Sequence, residues 1–98
     1  MASAFLLLGS NLGKREEVIQ KACLMIAEKM KIVASSSLYV SEPWGIKDQP
    51  TFLNQVLKVE TFITPYELLE YCLSIEVDLG RVRHLKWGER SIDIDILY

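Results

Sequence analysis

Hydrophobic residues along this chain follow two different periods, and the switches between them set the order of elements. Ser3-Ala4-Phe5-Leu6-Leu7-Leu8 is a nearly continuous apolar run that stops at Gly9. Such a run reads as a buried central strand and not as an edge. After the turn Gly9-Ser10-Asn11-Leu12-Gly13 the period becomes helical. Val18, Ile19, Ala22, Cys23, Ile26 and Met30 recur at steps of three and four, which predicts a helix over 14–30. Glu16 and Glu17 suit the positive end of its dipole.

A second strand is expected over 31–41. The segment from Glu42 to Pro50 follows it and holds two prolines and a glycine, which break regular structure. A third strand is expected over 52–62. Thr64-Pro65-Tyr66-Glu67 then announces a helix: Thr64 can cap, Pro65 suits the first helical position, and Glu67 can reach back to the cap amide. That helix should run to Leu79 and stop at Gly80, a residue suited to a left-handed C-terminal cap. The fourth strand, over 91–98, alternates acid and isoleucine. The order βαββαβ predicts an α+β, ferredoxin-like plait: an antiparallel sheet with two helices on one face.

Composition narrows this picture only a little. Ninety-eight residues, half of them hydrophobic, fit a single domain over 1–98 with its own core. Cys23 and Cys72 fall on the apolar faces of the two helices without metal-type spacing, so they are expected as buried, reduced thiols, and a reducing cytoplasm follows. The first residues lack the basic flank of a signal peptide, and no apolar run approaches the roughly 18 residues of a membrane span. A soluble protein without membrane contacts is expected. The net charge of −2 gives no general attraction to nucleic acid, and the third strand lacks the glycine-aromatic pattern of RNA-recognition motifs.

Charge is concentrated in one place. Arg81, Arg83, Lys86 and Arg90 stand against the single acid Glu89, and the strand that follows carries Asp93 and Asp95. Arginine keeps its charge and its planar fork matches phosphate oxygens, so the cluster fits a small polyphosphate; the other reading is a solvated turn. Asp93 and Asp95 alternate with isoleucine and project from one face, with Cα atoms roughly 7 Å apart. They fit Mg²⁺, which takes one or two carboxylates and leaves room for water and phosphate; the other reading is the wet face of an amphipathic strand. Trp44 and Trp87 sit in glycine-containing loops, where each ring either covers a flat heterocycle or folds back on the core. Asn54, among Phe52, Leu53 and Val56, either reads a ring's donor and acceptor edges or satisfies backbone groups. His84 reads as a solvated loop residue. Gly9 to Arg15 is not a phosphate-cradling P-loop: the glycine spacing is one residue short, and Arg15 stands where a Ser or Thr would hold a metal.

Four motifs together resemble one family. They are Leu8-Gly9-Ser10-Asn11-Leu12-Gly13, then Asp48-Gln49-Pro50 with Phe52-Leu53-Asn54, then Glu76-Val77-Asp78-Leu79-Gly80-Arg81-Val82-Arg83, and then Trp87-Gly88, Arg90 and Ile92-Asp93-Ile94-Asp95. In order and spacing the chain resembles 6-hydroxymethyl-7,8-dihydropterin pyrophosphokinase of folate biosynthesis. The resemblance implies transfer of diphosphate from ATP to the pterin's hydroxymethyl oxygen, release of AMP, and two Mg²⁺ ions on Asp93 and Asp95. It implies that Arg81 and Arg90 grip the transferring group and that Arg83 and Trp87 sit in a loop that closes over ATP. Glu76 and Ile96 would lie on the nucleotide side. The pterin would rest near Asn54 and Phe52, with Ser41 and Glu42 contributing backbone atoms and the Trp44 loop completing the pocket. Asp95 can accept the hydroxyl proton, although no residue is assigned as general base.

The chain departs from the family in two ways. Glu89 stands where the family usually has proline, which places an acid among phosphate ligands. The family also continues past the fourth strand into a segment with further ATP-contacting and pterin-stacking residues, and the sequence stops at Tyr98. The expectation is therefore a monomer that binds ATP and pterin weakly, turns over poorly, and can self-associate through the exposed edge of its fourth strand. The competing expectation is a non-catalytic plait that needs no Mg²⁺ and tolerates loss of Asp95 or Arg90.

Overall fold

The computed structural model describes residues 2–11, 13–42, 50–80 and 92–98. In chain order they form β1 (Ala2–Ser10), α1 (Arg15–Lys29), β2 (Lys31–Ser35), β3 (Tyr39–Ser41), β4 (Phe52–Thr61), α2 (Pro65–Leu79) and β5 (Asp93–Leu97). The central position of β1 follows from its apolar run: it pairs antiparallel with β4 on one side and β5 on the other. The sheet order is β2-β4-β1-β5, with β3 also paired to β4. This is the ferredoxin-like α+β arrangement that the element order predicts.

Side-chain alternation sorts the sheet into two faces. Ala4, Leu6, Leu8, Leu57, Val59, Ile92 and Ile94 point to the face covered by helices, and all are buried. They form one core with Ile19, Ala22 and Ile26 of α1 and Leu68, Cys72 and Ile75 of α2. Burying a leucine or isoleucine of this kind contributes about 1.5–3 kcal/mol. The Tyr71 hydroxyl of α2 donates to the Met25 carbonyl of α1 at 2.6 Å, so the two helices are tied by a polar bond as well as by packing. Both cysteines are free, Cys72 buried and Cys23 half-buried. Burial, and after it the nearby Glu76 carboxylate, pushes the Cys72 thiol up to about 11.

Two expectations need correction. The strand expected over 31–41 is two strands, because a serine side chain replaces the backbone at one rung. The Ser36 N–H donates to the Val56 carbonyl at 2.8 Å, whereas the return bond from the Val56 N–H goes to the Ser36 hydroxyl at 2.9 Å. A register shift between Ile32 and Ala34 accompanies this break. Gly80 does end α2, but at φ −101° and ψ 20° it is not left-handed. Its N–H continues the helical pattern to the Glu76 carbonyl at 2.8 Å, so no positive φ is required there. Among the described glycines, Gly13 takes a positive φ, at 71°.

The N-terminus of α2 has the expected capping box. The Glu67 N–H donates to the Thr64 hydroxyl at 3.1 Å, and the Thr64 N–H donates to the Glu67 carboxylate at 2.8 Å. Thr64→Ala is expected to cost about 1 kcal/mol by chemical denaturation. The Thr64 amide first, and its hydroxyl second, hold the exposed Glu67 carboxyl below its ordinary value of 4.5. A carboxyl depressed in the folded state adds stability above its unfolded value and loses it as pH falls through the folded one. Melting temperature should therefore fall on acidification below 4.5 more steeply for the wild type than for Glu67→Gln. Equal slopes would contradict this.

Candidate functional site

The face of the sheet opposite the helices carries a different set of residues. Register aligns Gly9 of β1 with Asn54 of β4 and with Asp93 of β5, and aligns Tyr39 of β3 with Asn54. One transverse row therefore runs Asp93, Gly9, Asn54, Tyr39. The next row holds Asp95, Leu7 and Val56. Neighbouring strands lie about 4.8 Å apart, so the asparagine and the first aspartate stand roughly 10 Å from each other across the bare backbone of Gly9.

Gly9 is small for reasons of space. A Cβ built on it would lie 3.0 Å from the Asn54 amide oxygen and 3.5 Å from the Phe52 ring. Asn54 cannot easily yield, because its NH₂ group donates to the Tyr39 carbonyl at 3.3 Å and to the Ser41 hydroxyl at 2.8 Å. Both amide hydrogens are thus committed, and the acceptor oxygen is held over Gly9. Asn54 is buried and Phe52 half-buried, while Ser41 is half-buried and Glu42 exposed. Sequence reasoning assigned only backbone atoms to Ser41 and so missed its hydroxyl.

Three hydrogen bonds from two side chains fix the turn after β1 against the start of β4. The Asn11 side-chain amide donates to the Pro50 carbonyl at 3.2 Å. The Arg15 guanidinium donates to the carbonyl and hydroxyl of Thr51 at 2.8 and 3.1 Å. Sequence reasoning missed this clamp too. The available hint was an arginine in the first turn of a helix, where a positive charge opposes the dipole and calls for a partner elsewhere.

Asp93 and Asp95 share the open face, Asp93 half-buried and Asp95 exposed, while Ile92, Ile94 and Ile96 turn toward the helices. Among the described residues no third His, Cys, Asp or Glu joins them in a metal-binding group. Among the described residues the donor set is a pair of hard carboxylates, Asp93 lying opposite Gly9 of the neighbouring strand. That suits Mg²⁺, which takes few protein ligands and keeps positions for water and phosphate, and does not suit a fully caged ion.

The Glu76 carboxylate, at the last turn of α2, accepts a hydrogen bond from the Ile94 N–H at 2.7 Å. Ile96, half-buried, lines a groove of about 480 Å³ between β5 and the start of α2, together with Asp95, Ile94, Tyr66, Leu69 and Tyr98. The larger hollow at the start of α1, about 620 Å³, is lined by none of the candidate site residues. Trp44, Arg81, Arg83, Trp87 and Arg90 lie outside the described residues, as does Glu89. The structure thus brings together Asn54, Phe52, Ser41, Gly9, Asp93 and Asp95, and sets Glu76 behind the aspartates.

Comparison with known proteins follows the same lines. A family profile described as 7,8-dihydro-6-hydroxymethylpterin-pyrophosphokinase matches residues 5–98. A 2-amino-4-hydroxy-6-hydroxymethyldihydropteridine pyrophosphokinase of Methylorubrum extorquens is 46% identical, with 99% of this chain and 63% of the relative covered. The protein of that name from Aquifex aeolicus is 45% identical, with coverage of 99% and 61%. The folic acid synthesis protein fol1 of Schizosaccharomyces pombe is 45% identical over 96% of this chain, which is 13% of that protein. The chain spans about three fifths of the length of the bacterial relatives it matches.

Proposed function

Because the chain belongs to the 7,8-dihydro-6-hydroxymethylpterin-pyrophosphokinase family, we propose that it carries the pterin floor and the metal-binding strand of an enzyme that transfers diphosphate from ATP to 6-hydroxymethyl-7,8-dihydropterin in folate biosynthesis. The observation that carries this reading is the transverse row. It sets a pinned amide, a glycine and a carboxylate pair in adjacent strands on the face of the sheet away from the helices. A flat heterocycle fits over Gly9, where its ring N–H groups meet the Asn54 oxygen and its face meets Phe52. Ser41 holds the amide, and Glu42 and Trp44 close the pocket.

The reaction joins the pterin hydroxyl oxygen to the β-phosphorus of ATP. The bond from that phosphorus to the oxygen retained by AMP breaks, and the hydroxyl proton is lost. Two Mg²⁺ ions held by Asp93 and Asp95 would, when bound, offset charge on the phosphates. Arg81 and Arg90 grip the transferring diphosphate, Arg83 and Trp87 cover the nucleotide, and Glu76 and Ile96 lie on its side of the site. No covalent intermediate with the protein is required, so positioning and fixed charge supply most of the rate.

Among the described residues no helix is long and apolar enough to cross a membrane. We place the protein in the cytoplasm as a monomer. Among the described residues β5 is an edge strand, and self-association through it has to displace the Glu76 carboxylate from the Ile94 amide.

The direct test is chromatography after incubating the chain with ATP, Mg²⁺ and 6-hydroxymethyl-7,8-dihydropterin. Slow, Mg²⁺-dependent formation of AMP and pterin diphosphate in equal amounts is expected. Release of ADP, or product that persists in excess chelator, would contradict the proposal.

A further inference from the structure

We infer that Glu76 is a positioning residue for the aspartate pair, acting through the Ile94 amide at the centre of Asp93-Ile94-Asp95. This inference rests on the metal-binding role proposed above and assigns a distinct task to a residue on another element. Among the described residues β5 has a ladder partner on one side only. Along a strand, successive N–H groups point to opposite edges, so an edge strand must satisfy its outward amides elsewhere or leave them to water. The Ile94 N–H takes its bond from the side chain of α2, at 2.7 Å, with a charged acceptor that makes it stronger than a neutral one.

That amide belongs to the peptide unit joining Asp93 to Ile94. Holding its plane holds the backbone angle that aims the Asp93 side chain, and through the next residue it limits the twist at Asp95. The acceptor itself is well anchored. Cys72 and Ile75, one turn and one residue before Glu76, are both buried in the core. The rigid helix is thereby bolted to the middle of the strand whose two carboxylates must converge on a shared ion. Sites of this kind need their ligands held to within about 0.5 Å, and side chains on packed elements do this better than a free edge can. Partners one step behind a metal ligand act in the same way when they hold a histidine or carboxylate in place. Here the held group is the backbone between two ligands.

The experiment uses the ¹⁵N-labelled chain and Mn²⁺ alone, read by paramagnetic broadening of the amides from Asp93 to Ile96, with hydrogen exchange of the Ile94 amide as a metal-free readout. Three substitutions separate the bond from the charge. Glu76→Gln keeps an acceptor oxygen at the same reach and removes the charge. Glu76→Asp keeps the charge and withdraws the oxygen by one methylene, and Glu76→Ala removes both. The expected result is Mn²⁺ affinity lowered by about tenfold or more in Glu76→Ala and Glu76→Asp, with Glu76→Gln within about threefold of wild type. Exchange at Ile94 should quicken in the first two and stay slow in the third.

Wild-type affinity in both Glu76→Asp and Glu76→Ala would overturn the inference. So would a loss in Glu76→Gln as large as in Glu76→Ala, because charge and not the bond would then be responsible. Should Glu76→Ala fail to fold, the contrast between Glu76→Asp and Glu76→Gln decides the question alone. Absence of Mn²⁺ broadening around 93–95 in the wild type itself is a different failure. It would remove the metal-binding role and this inference with it.

Discussion

Asparagine in place of Asp95 is expected to remove Mg²⁺-dependent nucleotide binding while leaving the fold as stable as before. Asp95 is exposed on an edge strand, and changes at such positions shift stability by about 0.5 kcal/mol or less. Its neighbour on the same face is another carboxylate, so loss of one charge relieves a small repulsion. Toward a metal nucleotide the effect is of a different size. One of two anionic ligands is lost, and a metal ion stabilises phosphate charge by several kcal/mol, so affinity should fall by roughly a hundredfold. Calorimetric titration with a non-hydrolysable ATP analogue, with and without Mg²⁺, measures the first effect, and denaturant melts measure the second. A non-catalytic plait predicts neither metal dependence nor sensitivity to this change. Retained Mg²⁺-dependent binding in the variant would sink the assignment of Asp95, whereas a large stability loss would mean that the residue serves the fold.

Valine in place of Gly9 is expected to harm both the sheet and the pterin pocket. The first added carbon would already lie 3.0 Å from the Asn54 oxygen, and two further methyl groups follow it. The amide can retreat only by giving up its bonds to Tyr39 and Ser41. Overpacking of this kind costs about 1–3 kcal/mol, and each kcal/mol lowers the melting temperature of a domain this size by roughly 4–8 °C. The side chain would also occupy the space where the heterocycle is proposed to lie, so pterin affinity should fall by at least about tenfold, or ~1.4 kcal/mol. Gly13→Ala serves as the contrast. That position has a φ of 71° but nothing within 4 Å of an added Cβ, so it should lose about 1 kcal/mol of stability and no pterin affinity. Equal pterin loss in both variants would show that general destabilisation, and not the cradle over Gly9, is responsible.

The parts of the fold that were legible in the sequence are those in which one local rule decides. The apolar run before Gly9 marks a central strand and not an edge, and β1 does lie between β4 and β5, although Phe5 on the face away from the helices is exposed. The box from Thr64 to Glu67 is local chemistry, and both of its bonds form. The breaks in the reading come where a distant partner decides. Ser36 ends β2 because its hydroxyl takes the Val56 amide in place of a backbone carbonyl, and nothing in a run of three serines says which one will do so. Gly80 was read as a left-handed cap from its type alone, yet the chain leaves α2 with φ at −101°.

The site divides in the same way. Alternation along β5 was enough to put Asp93 and Asp95 on one face. That Asn54 stands in the same row as Asp93 depends on two strand registers. That Glu76 meets the Ile94 amide depends on the packing of α2 against β5, which no spacing in the sequence encodes. The family resemblance places Glu76 on the nucleotide side, whereas the structure adds a bond from the Ile94 amide to the Glu76 carboxylate.

We propose that pterin and metal meet across Gly9, on the face of the sheet away from the helices. A ¹H–¹⁵N correlation spectrum of the labelled chain, titrated with 6-hydroxymethylpterin in the presence of Mg²⁺ and a non-hydrolysable ATP analogue, tests it most directly. The largest shifts are expected on Gly9, Ser41, Phe52 and Asn54, with Asp93 and Asp95 responding to the metal nucleotide. Shifts confined to Glu17, Gln20 and Leu38 around the hollow at the start of α1, or no response from a well-folded chain, would contradict it.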